Sequence, residues 1–132
     1  MNKSVNMEPE KETDNQVRLS IYKIPKKNHD AMLENQKQFT EAFRKHGCYY
    51  QSFQLGSTAV PEGFVGVAAV LSAHQDEEVW LDFESYMDHK QMDDVISKLM
   101  NDENALSLMK QYLNLLSSNS APIRGEFDRT RV

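Results

Sequence analysis

The chain has 132 residues, of which 39% are hydrophobic, and 15 basic against 20 acidic side chains give it a formal charge of -5. A chain of this length buries roughly two thirds of the surface that its unfolded form exposes, which is enough for one domain with one core. The acidic balance and scattered basic residues exclude nucleic acid as an expected partner, and the longest apolar run, residues 64–71, is too short to span a membrane.

Residues 1–15 are predicted to form a disordered acidic tail. Val5 and Met7 are the sizeable apolar groups of this segment, and most of the other side chains are charged or carry amides. Ordering such a segment costs backbone entropy and buries little apolar surface in return. The folded domain is therefore expected at residues 16–132.

The first half of the domain is predicted as strand, helix, strand. Apolar and polar residues alternate from Val17, and Pro25 ends this strand because proline has no amide hydrogen to donate. A helix is expected from the N-cap Asn28 to Gly47, since glycine suits the left-handed conformation that follows many helices. Residues 48–55 alternate again and predict the second strand.

The second half repeats this order after an insertion. Residues 64–71 predict an extra strand buried on both faces, and residues 79–86 alternate as a further strand. Asp88, with a glutamine three residues later, predicts the start of a helix that breaks and restarts at residues 101–104. Residues 123–129 predict a last short strand.

This order predicts an α+β fold of the ferredoxin-like kind, a β-α-β-(β)-β-α-β sandwich with an antiparallel sheet and both helices on one face. Alternation assigns Val17, Leu19 and Ile21 to the face beneath the helices. The opposite face then receives aromatic and charged side chains: Arg18, Tyr22, Tyr50, Gln54, Trp80, Asp82, Glu84, Arg124, Glu126 and Asp128. Such a mixture is typical of an interface between identical subunits, so two sheets are expected to face each other across a two-fold axis.

Several segments between Val17 and Asp128 are similar to a known family: "IPKKNHDAMLENQKQFTEAFRKHG", "VPEG", "AAVLSAHQDEEVWLDFESY" and "IRGEF". They resemble the YbaA-like family of small bacterial proteins, domain of unknown function 1428. The resemblance implies a dimeric α+β barrel and a homodimer. It implies no chemistry, because the shared motifs end strands, end helices and form turns. The family has an acidic pair after the glycine matched by Gly56, whereas this chain has Ser57 and Thr58, so no role of those carboxylates carries over.

Four residues on neighbouring predicted strands, Tyr22, Tyr50, Trp80 and Asp82, are the main candidates for a ligand site. Small barrels of the superfamily to which the resemblance points sometimes oxidise planar organic molecules without metal or flavin. The same side chains would serve as dimer anchors, which is the favoured interpretation. The functional hypothesis is a small homodimer that is non-catalytic or holds a small aromatic ligand. The alternative is a cofactor-independent oxygenase or isomerase acting on a small aromatic metabolite.

The other candidates are isolated residues. His74 lies in a polar hairpin, where a solvated turn is favoured over a ligand contact. His89 and Asp93 share a helix face, but a pair without a third ligand is a weak signal for a metal. Cys48 is interpreted as a small buried residue rather than a reactive thiol; as the one cysteine it excludes an internal disulfide and favours the cytoplasm. No phosphate-binding glycine loop or dinucleotide fingerprint occurs, so no cofactor is expected.

Overall fold

The structure, a computed structural model, describes residues 15–132. The predicted acidic tail, except for Asn15, lies outside the described residues. The elements in chain order are β1 (Gln16–Pro25), a 3-10 turn (Lys26–Asn28), α1 (His29–Lys45), β2 (Tyr49–Gln54), α2 (Val67–Val70), β3 (Glu77–Tyr86), α3 (His89–Met100), α4 (Glu103–Leu115) and β4 (Ile123–Asp128). Across this range, no helix combines the length and the apolar character needed to cross a lipid bilayer.

The four strands form one antiparallel sheet in the order β2-β3-β1-β4. β1 and β3 occupy its centre and pair from Gln16 opposite Tyr86 to Pro25 opposite Glu77. Each β-α-β half therefore contributes one central strand and one edge strand, which is the ferredoxin-like arrangement. The predicted α+β class is confirmed.

The predicted helix ends are confirmed where side chains or glycine terminate them. Asp88 caps α3 by accepting a hydrogen bond from the Gln91 amide at 2.8 Å, while the Gln91 side chain accepts from the Met87 amide at 2.6 Å. Asp102 caps α4 by accepting from two amides of its first turn, so the predicted break between α3 and α4 is present. Gly47 follows α1 with a φ of 87°, a left-handed conformation that glycine adopts without a steric cost.

The predicted extra strand at residues 64–71 is wrong. The segment belongs to an exposed insertion between β2 and β3, and its one regular piece is the single helical turn α2. Phe64 and Val65 are 70% and 74% exposed, so the run is not buried on either side. Gly66 separates these two residues from the alanines of α2, which favour helix over strand. The apolar run is thus split between a loop and one helical turn.

The assignment of the two sheet faces to helices and partner is also wrong, because the structure reverses it. The helices cover the face that carries Tyr22, Tyr50 and Trp80. Phe43 of α1 stacks on Tyr50 with ring centroids 4.6 Å apart, and Tyr112 of α4 meets Tyr22 edge-on at 5.0 Å. Burying a tyrosine ring removes a large apolar area from water, and its hydroxyl needs only one buried partner. The tyrosines of this face are therefore as suited to burial as aliphatic side chains.

The other face of the sheet, here called the outer face, points away from the helices. Its apolar residues are Val17, Leu19, Ile21, Tyr49, Phe53, Leu81, Phe83, Ile123 and Phe127, and the polar residues Gln51 and Ser85 lie among them. Residues on the central strands are half-buried by their neighbours, whereas Phe53 and Phe127 on the edge strands are 49% and 53% exposed. The Phe127 ring lies over Gly125, where a Cβ atom would approach it to 2.8 Å. Glycine at this position lets the ring lie flat across the outer face.

Candidate functional site

A buried carboxylate, Asp82, lies near the centre of the sheet beneath the helices. Strand pairing places Ser20 of β1 and Ser52 of β2 on either side of it. One oxygen, Oδ1, accepts hydrogen bonds from the Tyr22 hydroxyl at 2.8 Å and the Ser52 hydroxyl at 2.9 Å. Burial raises the pKa of Asp82 to about 6, and the hydroxyl donors limit that rise because they stabilise the charged form. Asp82 thus exchanges its proton near neutral pH.

A second buried carboxylate, Glu84, is neutralised by Arg18, its neighbour across the β1–β3 pair. The guanidinium donates from Nε to Oε1 at 2.9 Å and from Nη2 to Oε2 at 3.1 Å. The Tyr86 hydroxyl also donates to Oε1, at 2.6 Å. Bidentate pairing of this kind satisfies two charges that burial would otherwise destabilise. Glu84 is therefore tied into the fold rather than available as a base.

Side chains of α1 and α4 close the space above these carboxylates, here called the helix–sheet cleft. From α1, Gln36 accepts a hydrogen bond from the Tyr50 hydroxyl at 2.6 Å, and Phe39 and Phe43 form an aromatic wall. Met109 contributes the facing side chain from α4. The cleft has a volume of about 30 Å³, enough for a water molecule or another small polar group. In this conformation it is nearly filled by its own side chains.

Arg124 and Tyr112 lie on the β4 side of the cleft. Arg124 Nε donates to the Ser20 hydroxyl at 3.0 Å, and within residues 15–132 the guanidinium joins no ion pair. Tyr112 is 5% exposed, and its hydroxyl has no hydrogen-bond partner in the described part of the chain. Burial and the charge of Asp82 raise the pKa of Tyr112, while the charge of Arg124 opposes that rise. Tyr112 and Arg124 both line the cleft.

Trp80 takes part in a separate group at the start of α1. Its indole Nε1 donates to Glu78 Oε1 at 3.0 Å, and the same oxygen lies 2.9 Å from His29 Nδ1. The hydrogen bond and the charge of Glu78 raise the pKa of His29. These contacts tie the first turn of α1 to β3, which is a structural role.

The structure therefore divides the predicted site residues. Tyr50 and Asp82 line the cleft, and Tyr22 is joined to it through its hydrogen bond to Asp82, whereas neither Tyr22 nor Trp80 lines it. His74 lies in the exposed turn before β3, where its amide donates to Glu77 Oε1 at 2.7 Å. As anchors for a partner subunit, Tyr22, Tyr50 and Trp80 are unavailable because the helices cover them. As ligand contacts, the five candidates remain predictions.

The metal and thiol candidates have ordinary partners. His89 Nε2 lies 3.0 Å from Asp128 Oδ1, a contact between two exposed side chains on α3 and β4. Among residues 15–132, no three His, Cys, Asp or Glu side chains are grouped to hold a metal ion. Cys48 is free and buried, and burial raises the pKa of its thiol to about 12, so it stays protonated.

Gln36 and Tyr112 are site residues that sequence analysis missed. Gln36 sits four residues after Met32 and three before Phe39, inside the apolar stripe of α1, and it is buried. A long polar side chain within an apolar stripe indicates that something polar lies beneath the helix, and this signal could have revealed the cleft. Tyr112 gave no such signal, because tyrosine is common on the apolar face of a helix.

Comparison with known families and curated proteins adds no activity. The model of a family of proteins of unknown function matches residues 15–113 of this chain. Among curated proteins, none matches the sequence.

Solved structures share the fold at low sequence identity. A conserved protein of unknown function from Bacteroides thetaiotaomicron, described as a possible oxidoreductase, is 14% identical with a TM-score of 0.55, over 88% of this chain and 99% of that chain. SnoaB, a cofactor-independent oxygenase from Streptomyces nogalater, is 9% identical with a TM-score of 0.52, over 89% and 96%. A nipsnap family protein of unknown function from Agrobacterium tumefaciens is 14% identical with a TM-score of 0.52, over 89% and 90%. At these identities the likeness shows the fold alone.

Proposed function

Because the chain belongs to the DUF1428 family, whose function is unknown, we propose a function from its own geometry: a cytoplasmic homodimer that holds a small aromatic ligand in the helix–sheet cleft without transforming it. The observation that supports the ligand is the cleft itself, which is lined by a buried carboxylate, the rings of Phe39 and Phe43, and a hydroxyl that has no hydrogen-bond partner among residues 15–132. Sites for small organic molecules combine apolar walls with a few convergent polar groups in this way. The buried, unpaired Cys48 is consistent with a reducing compartment.

The outer face supports the dimer. Leu19 and Phe83 are neighbours across the central strands, and Phe127 extends the apolar surface onto β4. Monomeric soluble proteins rarely expose a continuous apolar area across a whole sheet. A two-fold axis would bring the same residues of two copies together, and two sheets packed face to face bury such surfaces. The partner surface proposed here is thus the face opposite to the one that sequence analysis favoured.

Introducing a charge on the outer face should separate the subunits. We expect light scattering to give the mass of two chains for the unaltered protein and of one chain for Phe83→Asp at micromolar concentration, because a buried carboxylate without a partner is strongly unfavourable. Leu33→Asp is the matched control, since Leu33 is exposed on α1, which packs on the other face of the sheet. Far-ultraviolet circular dichroism checks that both variants fold. A monomeric unaltered protein would remove the dimer from the proposal.

The small size of the cleft favours a binding protein over an enzyme that transforms its ligand. A space of about 30 Å³ accepts only part of a small molecule, so an aromatic ring must displace a wall side chain. Met109 is half-buried and has the flexible thioether chain that adapts most readily. A second reactant beside the ring would need a still larger opening.

One observation favours the alternative, a cofactor-independent oxygenase or isomerase acting on a small aromatic metabolite. Asp82 is a buried carboxylate that can accept a proton near neutral pH, as a general base must. The fold likeness to SnoaB, described as a cofactor-independent oxygenase, is in keeping with this alternative. It carries no residue across, because the two chains are only 9% identical.

Binding and oxidation can be separated in one experiment. With phenol and catechol as probes, we expect nuclear magnetic resonance titration to shift the Met109 methyl signal, and an oxygen electrode to record no consumption above the protein-free rate. Leu106, exposed on the same helix, supplies the control methyl signals. Oxygen uptake that is present in the unaltered protein and lost in Asp82→Asn would establish the alternative. No shift with either probe would contradict the proposed aromatic ligand.

A further inference from the structure

Two groups on the β4 side of the helix–sheet cleft have fewer partners within the described part of the chain than their chemistry allows. The Tyr112 hydroxyl is buried without a hydrogen bond inside residues 15–132. The Arg124 guanidinium meets only the neutral Ser20 hydroxyl through Nε, with no carboxylate paired to it in the same range. Both line the same small space. A hydroxyl and a guanidinium that line one space can both donate hydrogen bonds to an anionic oxygen bound there.

We infer that the cleft binds a carboxylate, held by the Arg124 guanidinium and the Tyr112 hydroxyl. This inference rests on the proposed function and names the group by which the ligand is recognised. A guanidinium presents parallel N–H donors that match the two oxygens of a carboxylate. A carboxylate has three heavy atoms, so it is also the kind of head group that a cleft of about 30 Å³ admits with little rearrangement. The aromatic ring of the ligand would then lie beside Phe39 and Phe43, in the space that displacement of Met109 opens.

The other charged groups at the cleft decide how strongly an anion is held. Arg18 neutralises Glu84 through two hydrogen bonds, so this pair adds little net charge. The negative charge of ionised Asp82 offsets the positive charge of Arg124. The net charge of these two groups and the Arg18–Glu84 pair is therefore zero while Asp82 is ionised. Protonation of Asp82 leaves one net positive charge beside the bound anion. Carboxylate binding should therefore strengthen as the pH falls through the range in which Asp82 titrates.

The first test is a titration with formate and acetate, followed by nuclear magnetic resonance, with chloride at equal ionic strength as the reference. We expect saturable binding of both carboxylates, weakened about tenfold or more in Arg124→Gln and several-fold in Tyr112→Phe, since a hydrogen bond to a charged group contributes on that scale. Arg44→Gln, which removes an exposed arginine of α1, is the matched control and should bind as the unaltered protein does. Arg124 is exposed and Tyr112→Phe keeps the ring, so both variants should fold, as circular dichroism can verify.

The second test is the pH dependence of the dissociation constant. We expect formate to bind several-fold more tightly at pH 5.5 than at pH 7.5 in the unaltered protein, and Asp82→Asn to remove most of this difference because it fixes the residue in an uncharged form. A pH dependence that persists in Asp82→Asn would contradict the electrostatic argument.

Two results would overturn the inference: carboxylates that bind no better than chloride, or equal losses in Arg124→Gln and Arg44→Gln. If phenol binds in the cleft while formate and acetate do not, the proposed function stands and the carboxylate is wrong. If none of the three binds, both fall.

Discussion

Replacing Arg18 by methionine is expected to lower the free energy of unfolding by about 3 to 5 kcal/mol at neutral pH. The change leaves Glu84, which is 3% exposed, with the Tyr86 hydroxyl but without its counter-charge. A carboxylate taken from water needs such a partner, because the low-dielectric surroundings do not stabilise an isolated charge. Urea denaturation followed by circular dichroism at one protein concentration gives the difference, and a fixed concentration matters if unfolding is coupled to subunit dissociation.

Two further variants distinguish the ion pair from a loss of packing. Arg44→Met removes an exposed arginine from the last turn of α1 and should change the free energy of unfolding by no more than about 0.5 kcal/mol. Combining Arg18→Met with Glu84→Gln removes both charges and keeps an acceptor for Tyr86, so it should recover at least half of the loss. A loss below about 1 kcal/mol in Arg18→Met, or no recovery in the double variant, would show that the charges matter little.

Replacing Asp82 by asparagine is expected to stabilise the protein at neutral pH and to have little effect in acid. Burial raises the pKa of Asp82 from its ordinary value of 3.8 to about 6 in the folded state. Between these two values the unfolded chain releases the proton while the folded chain retains it, so stability falls as the pH rises from 3.8 to about 6. The difference amounts to about 3 kcal/mol at most, at about 1.4 kcal/mol per pKa unit.

The comparison requires denaturation curves for both proteins at intervals between pH 4 and pH 7.5. The free energy of unfolding of Asp82→Asn minus that of the unaltered protein should grow with pH and level off above pH 6. Taking this difference cancels the contribution of carboxyl groups whose pKa shifts in the opposite direction. Glu77 is one of these, because the Ser117 hydroxyl is the main cause that lowers its pKa. Asp94→Asn, on the exposed side of α3, serves as control and should show no such growth. A constant difference for Asp82→Asn would contradict the raised pKa.

Local signals in the sequence were sufficient for most element boundaries. The break between α3 and α4 follows from Asp102, which offers its carboxylate to the amides that open the second helix. The end of α1 at Gly47 could be predicted from the sequence, because few residues other than glycine adopt a positive φ. The prediction of a buried strand at residues 64–71 was wrong because it inferred burial from apolar character, whereas these side chains lie in an exposed insertion.

The choice between the sheet faces could not be made from alternation. A strand pattern shows that two faces differ but not which one meets the helices. In this chain the polar atoms of one face satisfy each other: Tyr22 and Ser52 donate to Asp82, and Arg18 pairs with Glu84. These partners lie on different strands, far apart in sequence, so only the strand register reveals that the face can be buried. The same reason hides the cleft, which requires side chains from four strands and two helices.

The single tryptophan of the chain occupies an unusually informative position. Trp80 is 3% exposed and lies where β3 meets the first turn of α1, with its indole bonded to Glu78. With selective excitation of tryptophan, the fluorescence of the protein therefore has one origin, on the helix side of the sheet. If two copies separate at the outer face, this indole stays shielded from solvent. If α1 moves away from the sheet, the indole becomes exposed to water and its emission shifts to longer wavelengths. The emission wavelength of Trp80 therefore distinguishes dissociation of the subunits from displacement of the helix layer.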